Sequence, residues 1–403
     1  MVGLYFLAVI GKIALTPQDF QVDILTYYYA AEAHSKSLNP YDKEVLTELA
    51  GRPVHLKYYY PPLILYLFKL LTLFSYSGAY YLYLALKVAV LCGLFWVWER
   101  KYLDTKWDGL FFLLCLFGFN YTIYCDLSTA NVSLFEELLL WLAFAAFVQG
   151  RFQRFGILVA CTAMFKLLPL FFLVLLLRTD DPRRWRYLVQ SGAFFGLYLG
   201  ISALVEPKLF LEFVASLTGL TGGLGRTGEV ANPATWPLIQ EVFRVVGEKG
   251  GVVVPRIIQA GLFAVAVVGV IVITWWAGEK ARGFEAIERR KWQVCLACFV
   301  FALIIPRFMN YSYILLLAPT YFLLQRLGRV SAYLMVLLLM LVSTSPYRPP
   351  GFNLLVSELS GYHPLFVAYV LWALAVHHLA TWYNASTLGG SRANVECGVR
   401  NVE

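Results

Sequence analysis

Long apolar runs separated by short polar turns organise this chain from end to end. They fall at about residues 2–16, 79–98, 108–124, 132–149, 156–165, 167–177, 188–205, 253–276, 293–306, 312–325, 330–345 and 364–382. A straight membrane-spanning helix needs roughly 20 predominantly apolar residues. The pattern therefore predicts an all-α polytopic membrane protein with about twelve transmembrane helices. Several runs are shorter than a full span, so broken helices are expected among them. Leu63 to Phe74 is also apolar, but counting it as a crossing would move three basic loops to the wrong side. It is predicted to be an interfacial helix over 61–75, entered at Pro61-Pro62 and carrying Lys69. Residues 1–382 read as one integral membrane domain. The polar tail 383–403 reads as a disordered extension.

Composition agrees with the pattern. The chain is 60% hydrophobic and 14% charged, with mean hydropathy +0.65; a soluble domain carries about 25% charged residues. The net charge of +8 needs no nucleic-acid partner, because the cations fall in alternate turns. Arg100-Lys101 with Lys106, Arg151 with Arg154, Arg178 with Arg183-Arg184 and Arg186, Lys280 to Lys291, Arg326 with Arg329, and the tail hold 18 of the 33 Lys and Arg. The positive-inside rule places these turns, and both termini, in the cytoplasm. Three longer segments, 17–78, 206–251 and 346–363, then face the other side, with 17–78 as the first extracytoplasmic loop. A plasma membrane protein with an extracytoplasmic site is the expectation. Cys295 and Cys298 lie within an apolar run without a second pair, which favours packing over metal or redox chemistry. No metal-ligand spacing, phosphate loop or dinucleotide fingerprint is present, so no cofactor is expected.

Candidate chemistry concentrates on the extracytoplasmic side. Asp23 and Tyr27 are one helical turn apart, and Ala30, Ala31 and His34 continue that face. Small residues beside the acid could leave room for a substrate. Asp19 is a rival acid, and a merely solvated interfacial helix is the plainer alternative. Asn39-Pro40-Tyr41-Asp42 reads as a turn, either an ordinary one or one folding the loop over the site. Lys166 interrupts two half-length apolar runs, with Pro169 close behind. A broken helix presenting Lys166 at the outer mouth fits, as does a snorkelling lysine. Arg307 stands at another outer helix end, where a guanidinium can grip phosphate oxygens or pair with a carboxylate. Glu136-Glu137 lies one turn inside a run, and a salt bridge to Lys166 or Arg307 is its expected role. His34, His55 and His363 read as surface histidines.

The succession Asp23, Tyr27, Ala30, Asn39-Pro40-Tyr41-Asp42, Tyr60-Pro61-Pro62, Lys166 with Pro169, then Pro306-Arg307 with Tyr311 and Tyr313 resembles the glycosyltransferase family 87 membrane enzymes. The resemblance runs from about residue 17 to about residue 325 and implies a bundle of the GT-C class. It further implies transfer of a hexose, mannose above all, from a polyprenyl-phosphate sugar to a lipid or glycan acceptor, with inversion. Under it Asp23 is the general base. Lys166, Arg307 and Lys57 would meet the donor phosphate, and Tyr27, Tyr41, Asp42, Tyr60, Asn131 and Tyr311 would position substrate. The chain departs from the family pattern at two places. Ser37 stands where a Gly commonly precedes Asn-Pro-Tyr, and Ala130-Asn131-Val132-Ser133 stands where Gly-Gln-x-Asn is common. Those departures bear on acceptor and sugar specificity. A multi-pass transporter or lipid-linked-sugar flippase is the alternative; it would bury ionisable residues and show paired repeats, and the sequence has no repeat.

The charge pattern makes a topology prediction. Single cysteines placed at Asp42 and at Arg184 should be labelled by impermeant reagents from opposite sides of the membrane. Labelling from one side would overturn the topology.

Overall fold

The computed structural model describes residues 2–17, 20, 22–103, 108–222, 232–250, 254–327 and 361–388. Among the described residues every regular element is helical. The chain opens with α1 (Val2–Leu15), α2 (Val22–Ser35), α3 (Lys43–Ala50) and α4 (Pro62–Phe68). Next come α5 (Tyr76–Val97), α6 (Gly109–Thr129), α7 (Ser133–Val148), α8 (Phe152–Ala163) and α9 (Val174–Leu177). The rest is α10 (Arg184–Val205), α11 (Pro207–Gly222), α12 (Thr235–Gly250), α13 (Arg256–Lys280), α14 (Ala286–Ile304), α15 (Leu317–Leu324) and α16 (His363–Leu388).

Five of the described helical stretches are long and apolar enough to cross a membrane: Tyr76–Leu103, Gly109–Thr129, Arg184–Val205, Arg256–Gly283 and His363–Thr381. The other expected crossings are shorter, more polar at one end, or outside the described residues, so length and apolarity establish five where the sequence suggested about twelve. The expected run at 330–345, residues 389–403 of the tail and Asp19 lie outside the described residues; residues 383–388, expected to begin the disordered tail, instead continue α16. Pro62–Leu73 is a short apolar stretch, consistent with an interfacial helix. Pro61 and Pro62 start it, where a missing N–H costs nothing.

Local chemistry explains the boundaries that matter for the site. Asp42 caps α3 by accepting the Glu44 N–H at 2.9 Å, and Gly51, at φ 62°, ends that helix. Asp108 caps α6 through the Phe111 N–H at 2.9 Å. Helix α6 then breaks at 118–121, where Phe119, Asn120 and Tyr121 all take left-handed backbone angles. That conformation costs an L-residue about 1–2 kcal/mol. The break is held by packing: Phe119 stacks on Tyr313 at 5.4 Å, and Thr122 Oγ1 donates to the Asn310 carbonyl at 2.7 Å. It thereby seats the 3₁₀ segment Asn310–Leu316, which carries Tyr311, against α6.

The two ends of the bundle differ in chemistry. At one end the basic turns meet. Tyr102 donates to the Lys291 carbonyl at 3.0 Å, Arg290 to the Val148 carbonyl at 2.8 Å, and Arg326 pairs with Glu288. At the other end lie α2, α3, α4, the end of α6 and the start of α7. His34 and Tyr66 both bond Glu206 Oε1, at 2.8 and 2.7 Å, tying α2 and α4 to the end of α10. His34 is therefore an interhelical anchor, where the sequence suggested a surface residue. Cys295 and Cys298 are buried and unpaired, as packing residues should be.

Candidate active site

Three segments converge at the end of the bundle opposite the basic turns. Helix α2 brings Asp23 and Tyr27, the α6–α7 turn brings Asn131, and the break after α8 brings Lys166. The break is where the sequence placed it: α8 stops at Ala163, and helical structure resumes as a 3₁₀ turn at Leu168–Leu173 with Pro169 at its start. Lys166 is thus released from a helix face and reaches inward. Its Nζ donates to Asn131 Oδ1 at 3.0 Å, Ser133 Oγ at 3.0 Å and Glu136 Oε2 at 2.7 Å. The ammonium also lies 5.6 Å from the centre of the Tyr311 ring. The expected salt bridge between Glu136 and Lys166 is present.

Asn131 joins the cation to the acid. Its Oδ1 accepts from Lys166, from Ser133 Oγ at 2.7 Å and from the Ser133 N–H at 3.2 Å. An amide oxygen surrounded by donors leaves the amide nitrogen facing the other way. Nδ2 donates to Asp23 Oδ2 at 2.5 Å. Tyr27 also donates to Asp23 Oδ2, at 3.4 Å, and its hydroxyl meets that of Tyr60 at 2.9 Å. Tyr27 is stacked on Phe68 at 4.6 Å, which fixes the ring. Asp23 Oδ1 makes no hydrogen bond among the described residues.

Burial works on this carboxylate. Asp23 is 6% exposed. Desolvation pushes its pKa from 3.8 up to about 6, against the opposing pull of the Asn131 amide and the ammonium groups of Lys87 and Lys166. A carboxylate titrating near 6 is ionised at neutral pH and is a better proton acceptor than an exposed one.

The other expected site residues separate into those joined to this network and those apart from it. Tyr41 donates to the Tyr60 carbonyl at 2.7 Å, and its own N–H bonds Asn39 Oδ1 at 2.9 Å, so the Asn-Pro turn does fold back onto the tyrosines. Tyr311 feels the charges of both Asp23 and Arg307. Arg307 is half-buried and has neither an ion pair nor a hydrogen bond among the described residues. Asp42 is exposed, and its side chain caps α3. Lys57 is exposed, and no contact joins it to Asp23. Ala30 and Ala31 are completely buried, so they give close helix packing where open space beside the acid was expected. Among the described residues no cluster of ligating side chains could hold a metal ion.

Sequence reasoning missed one pair. Lys87 of α5 and Asp126 of α6 are both fully buried and form an ion pair. Lys87 Nζ also donates to the carbonyls of Asp126 at 2.6 Å and Asn131 at 2.8 Å. It therefore pins both ends of the turn that presents Asn131. A lone cation in the apolar run 79–98 was the signal available. A buried pair is also what a transporter would show, but here the ammonium is spent on local backbone carbonyls.

The fold and site are those of an α-helical membrane-type protein with an acid–amide–cation array buried at one end. The description of glycosyltransferase family 87 matches residues 58–306, more than half of the chain, and the chain belongs to that family. The protein is accordingly a glycosyltransferase. The matched stretch contains Tyr60, Asn131 and Lys166; Asp23 and Tyr27 precede it, and Arg307 and Tyr311 follow it. No curated protein and no solved structure matches the chain.

The buried pair yields a stability test. Lys87→Met leaves Asp126 without its counter-ion, and breaking a buried pair costs about 3–5 kcal/mol. Lys87→Met with Asp126→Leu removes both charges and should recover much of that loss in thermal unfolding. A double variant as unstable as the sum of the singles would show that the two residues act independently.

Proposed function

We propose that the protein transfers a hexose, most simply mannose, from a polyprenyl-phosphate sugar to a hydroxyl of a lipid or glycan acceptor at the extracytoplasmic face of the cell membrane. The observation that carries this reading is the continuous link Asp23–Asn131–Lys166. It sets a proton acceptor and a cation on the two ends of one amide. Glycosyl transfer from a lipid phosphate needs both kinds of group: one to accept a proton, one to receive negative charge.

In this mechanism the acceptor hydroxyl attacks the anomeric carbon as the bond to the phosphate oxygen breaks. Asp23 takes the hydroxyl proton through Oδ1, since Oδ2 is occupied by Asn131 and Tyr27. The polyprenyl phosphate departs with the negative charge. Arg307 carries the stronger claim to that phosphate, because no carboxylate neutralises it among the described residues. A guanidinium also matches phosphate oxygens in two-pronged fashion. Lys166 shares its charge with Glu136, and it contributes chiefly by orienting Asn131 and by its field. A single displacement with one base inverts the anomeric centre. Tyr27 and Tyr41 are each hydrogen-bonded to Tyr60, and with Tyr311 these are the side chains assigned to positioning the sugar. The family supplies the donor class by resemblance, and the bilayer supplies the route by which a prenyl tail reaches the site.

The test is release of polyprenyl phosphate from polyprenyl-phosphomannose in the presence of a panel of lipid and glycan acceptors. Asp23→Asn preserves shape but cannot accept a proton, so turnover should fall by about 10²–10⁴. Wild-type kcat/KM should rise with pH through about 6, because Asp23 is protonated below that value and competent above it. Asp19→Asn and Asp42→Asn are the controls. Near-normal turnover in Asp23→Asn, with loss in one control, would move the base to that position.

A further inference from the structure

At the opposite end of the bundle the basic turns enclose a concave site that glycosyl transfer does not use. A cavity of about 270 Å³ lies between the turn after α9, the start of α10, the end of α13 and the start of α14. A second, of about 220 Å³, adjoins it and shares Arg178, Thr179, Asp180, Arg289 and Gln293. This size suits a headgroup better than a whole cofactor. Helix α10 separates the two ends: its 22 residues run from Arg184 beside the cavity to Val205, next to Glu206, a rise of roughly 33 Å.

The charges lining the site do not cancel. Arg178 and Arg282 both bond Glu279 at 2.8 Å, and Arg289 bonds Asp180 at 2.8 Å. Asp181 is engaged by Arg183. Among the described residues Arg184 donates only to the Thr179 carbonyl, at 3.3 Å, and Arg290 only to the Val148 carbonyl, at 2.8 Å. Two guanidinium groups thus border the cavities without a carboxylate partner among the described residues. Guanidinium is the side chain best matched to phosphate oxygens.

The neighbouring surface is apolar. Trp275 and Trp276 are 55% and 48% exposed, and Trp275 also lines the larger cavity. The Arg178 guanidinium lies 4.1 Å from the centre of the Trp275 ring. Above them Val265, Val268 and Val272 of α13 are exposed. Tryptophan beside arginine at the end of an outward apolar helix is the arrangement of a membrane–water boundary. An acyl chain lying along α13 would bring its headgroup to the cavity mouth.

We propose that these two cavities form a non-catalytic site for the phosphate-bearing headgroup of an anionic membrane lipid. Positive turns facing the cytoplasm need no cavity for topology alone; the surplus charge here is concave and flanked by indole. The proposal does not depend on the donor or acceptor, since none of its residues lies in the transfer site.

The experiment measures thermal unfolding of protein stripped of lipid in a neutral detergent. Phosphatidylglycerol, phosphatidylcholine and inorganic phosphate are added separately. Phosphatidylglycerol should raise Tm by about 3–5 °C at a hundredfold excess over its Kd. Phosphatidylcholine and inorganic phosphate should raise it far less. Arg184→Gln should lose most of the increment, and Arg184→Lys, which keeps the charge, should retain more of it. Each increment is read against the variant's own lipid-free Tm, so a loss of intrinsic stability does not obscure it. Equal stabilisation by phosphatidylcholine, or an undiminished increment in Arg184→Gln, would overturn the site. An equal shift from inorganic phosphate would reassign it to a free anion and overturn the lipid.

Discussion

The amide of Asn131 receives three donors on its oxygen, from Lys166 and from both the hydroxyl and the N–H of Ser133. Its nitrogen must then face Asp23, and that single orientation couples the acid to the cation. Asn131 cannot hold this pose from its own turn alone. Lys87 grips the carbonyls of Asp126 and Asn131 from below, using a charge that the interior tolerates only with partners. The buried pair fixes the turn, the turn fixes the amide, and the amide fixes the carboxylate. The same burial that raises the Asp23 pKa makes the group useful near neutral pH.

Breaks in helices supply the rest of the geometry. The interruption after α8 frees Lys166, and the left-handed turn in α6 seats the segment carrying Tyr311. Irregular backbone at membrane depth is tolerated where protein or a water-lined cavity surrounds it. Here both breaks border the candidate site, so departures from regular helix coincide with the side chains to which the chemistry is assigned. The opposite end obeys a different logic. Regular helices end in arginine-rich turns, and the ion pairs there join α9, α13 and α14 into a rim.

Much of this organisation was legible in the residues because it is local. Lys166 with Pro169 announced a broken helix, Pro61-Pro62 announced a helix start, and Asn39-Pro40 announced a turn. Each rule acts within a few positions. The Glu136–Lys166 pair was also foreseeable, since two opposite charges in apolar surroundings seek each other. What escaped depends on contacts far apart in sequence. Lys87 meets Asp126 and Asn131 only once α5 packs beside the end of α6, and His34 meets Glu206 only at the end of α10. Ala30 and Ala31 are small on either reading, and packing alone decides that they are filled space. The break at 118–121 has Gly118 and Asn120 as its local signals, but left-handed backbone at Phe119 and Tyr121 is set by packing against Tyr313 and Asn310, which lie far away in sequence.

The coupling of Asp23 to Lys166 through one amide is the central claim, and a double-mutant cycle on turnover addresses it directly. Asp23→Asn, Lys166→Met and the combined variant would be assayed for release of polyprenyl phosphate from the proposed polyprenyl-phosphate sugar donor. Groups that act as a unit are strongly non-additive. The combined variant should therefore be little slower than the slower single variant. Losses that multiply across the two substitutions would show that acid and cation work independently, and would contradict the account.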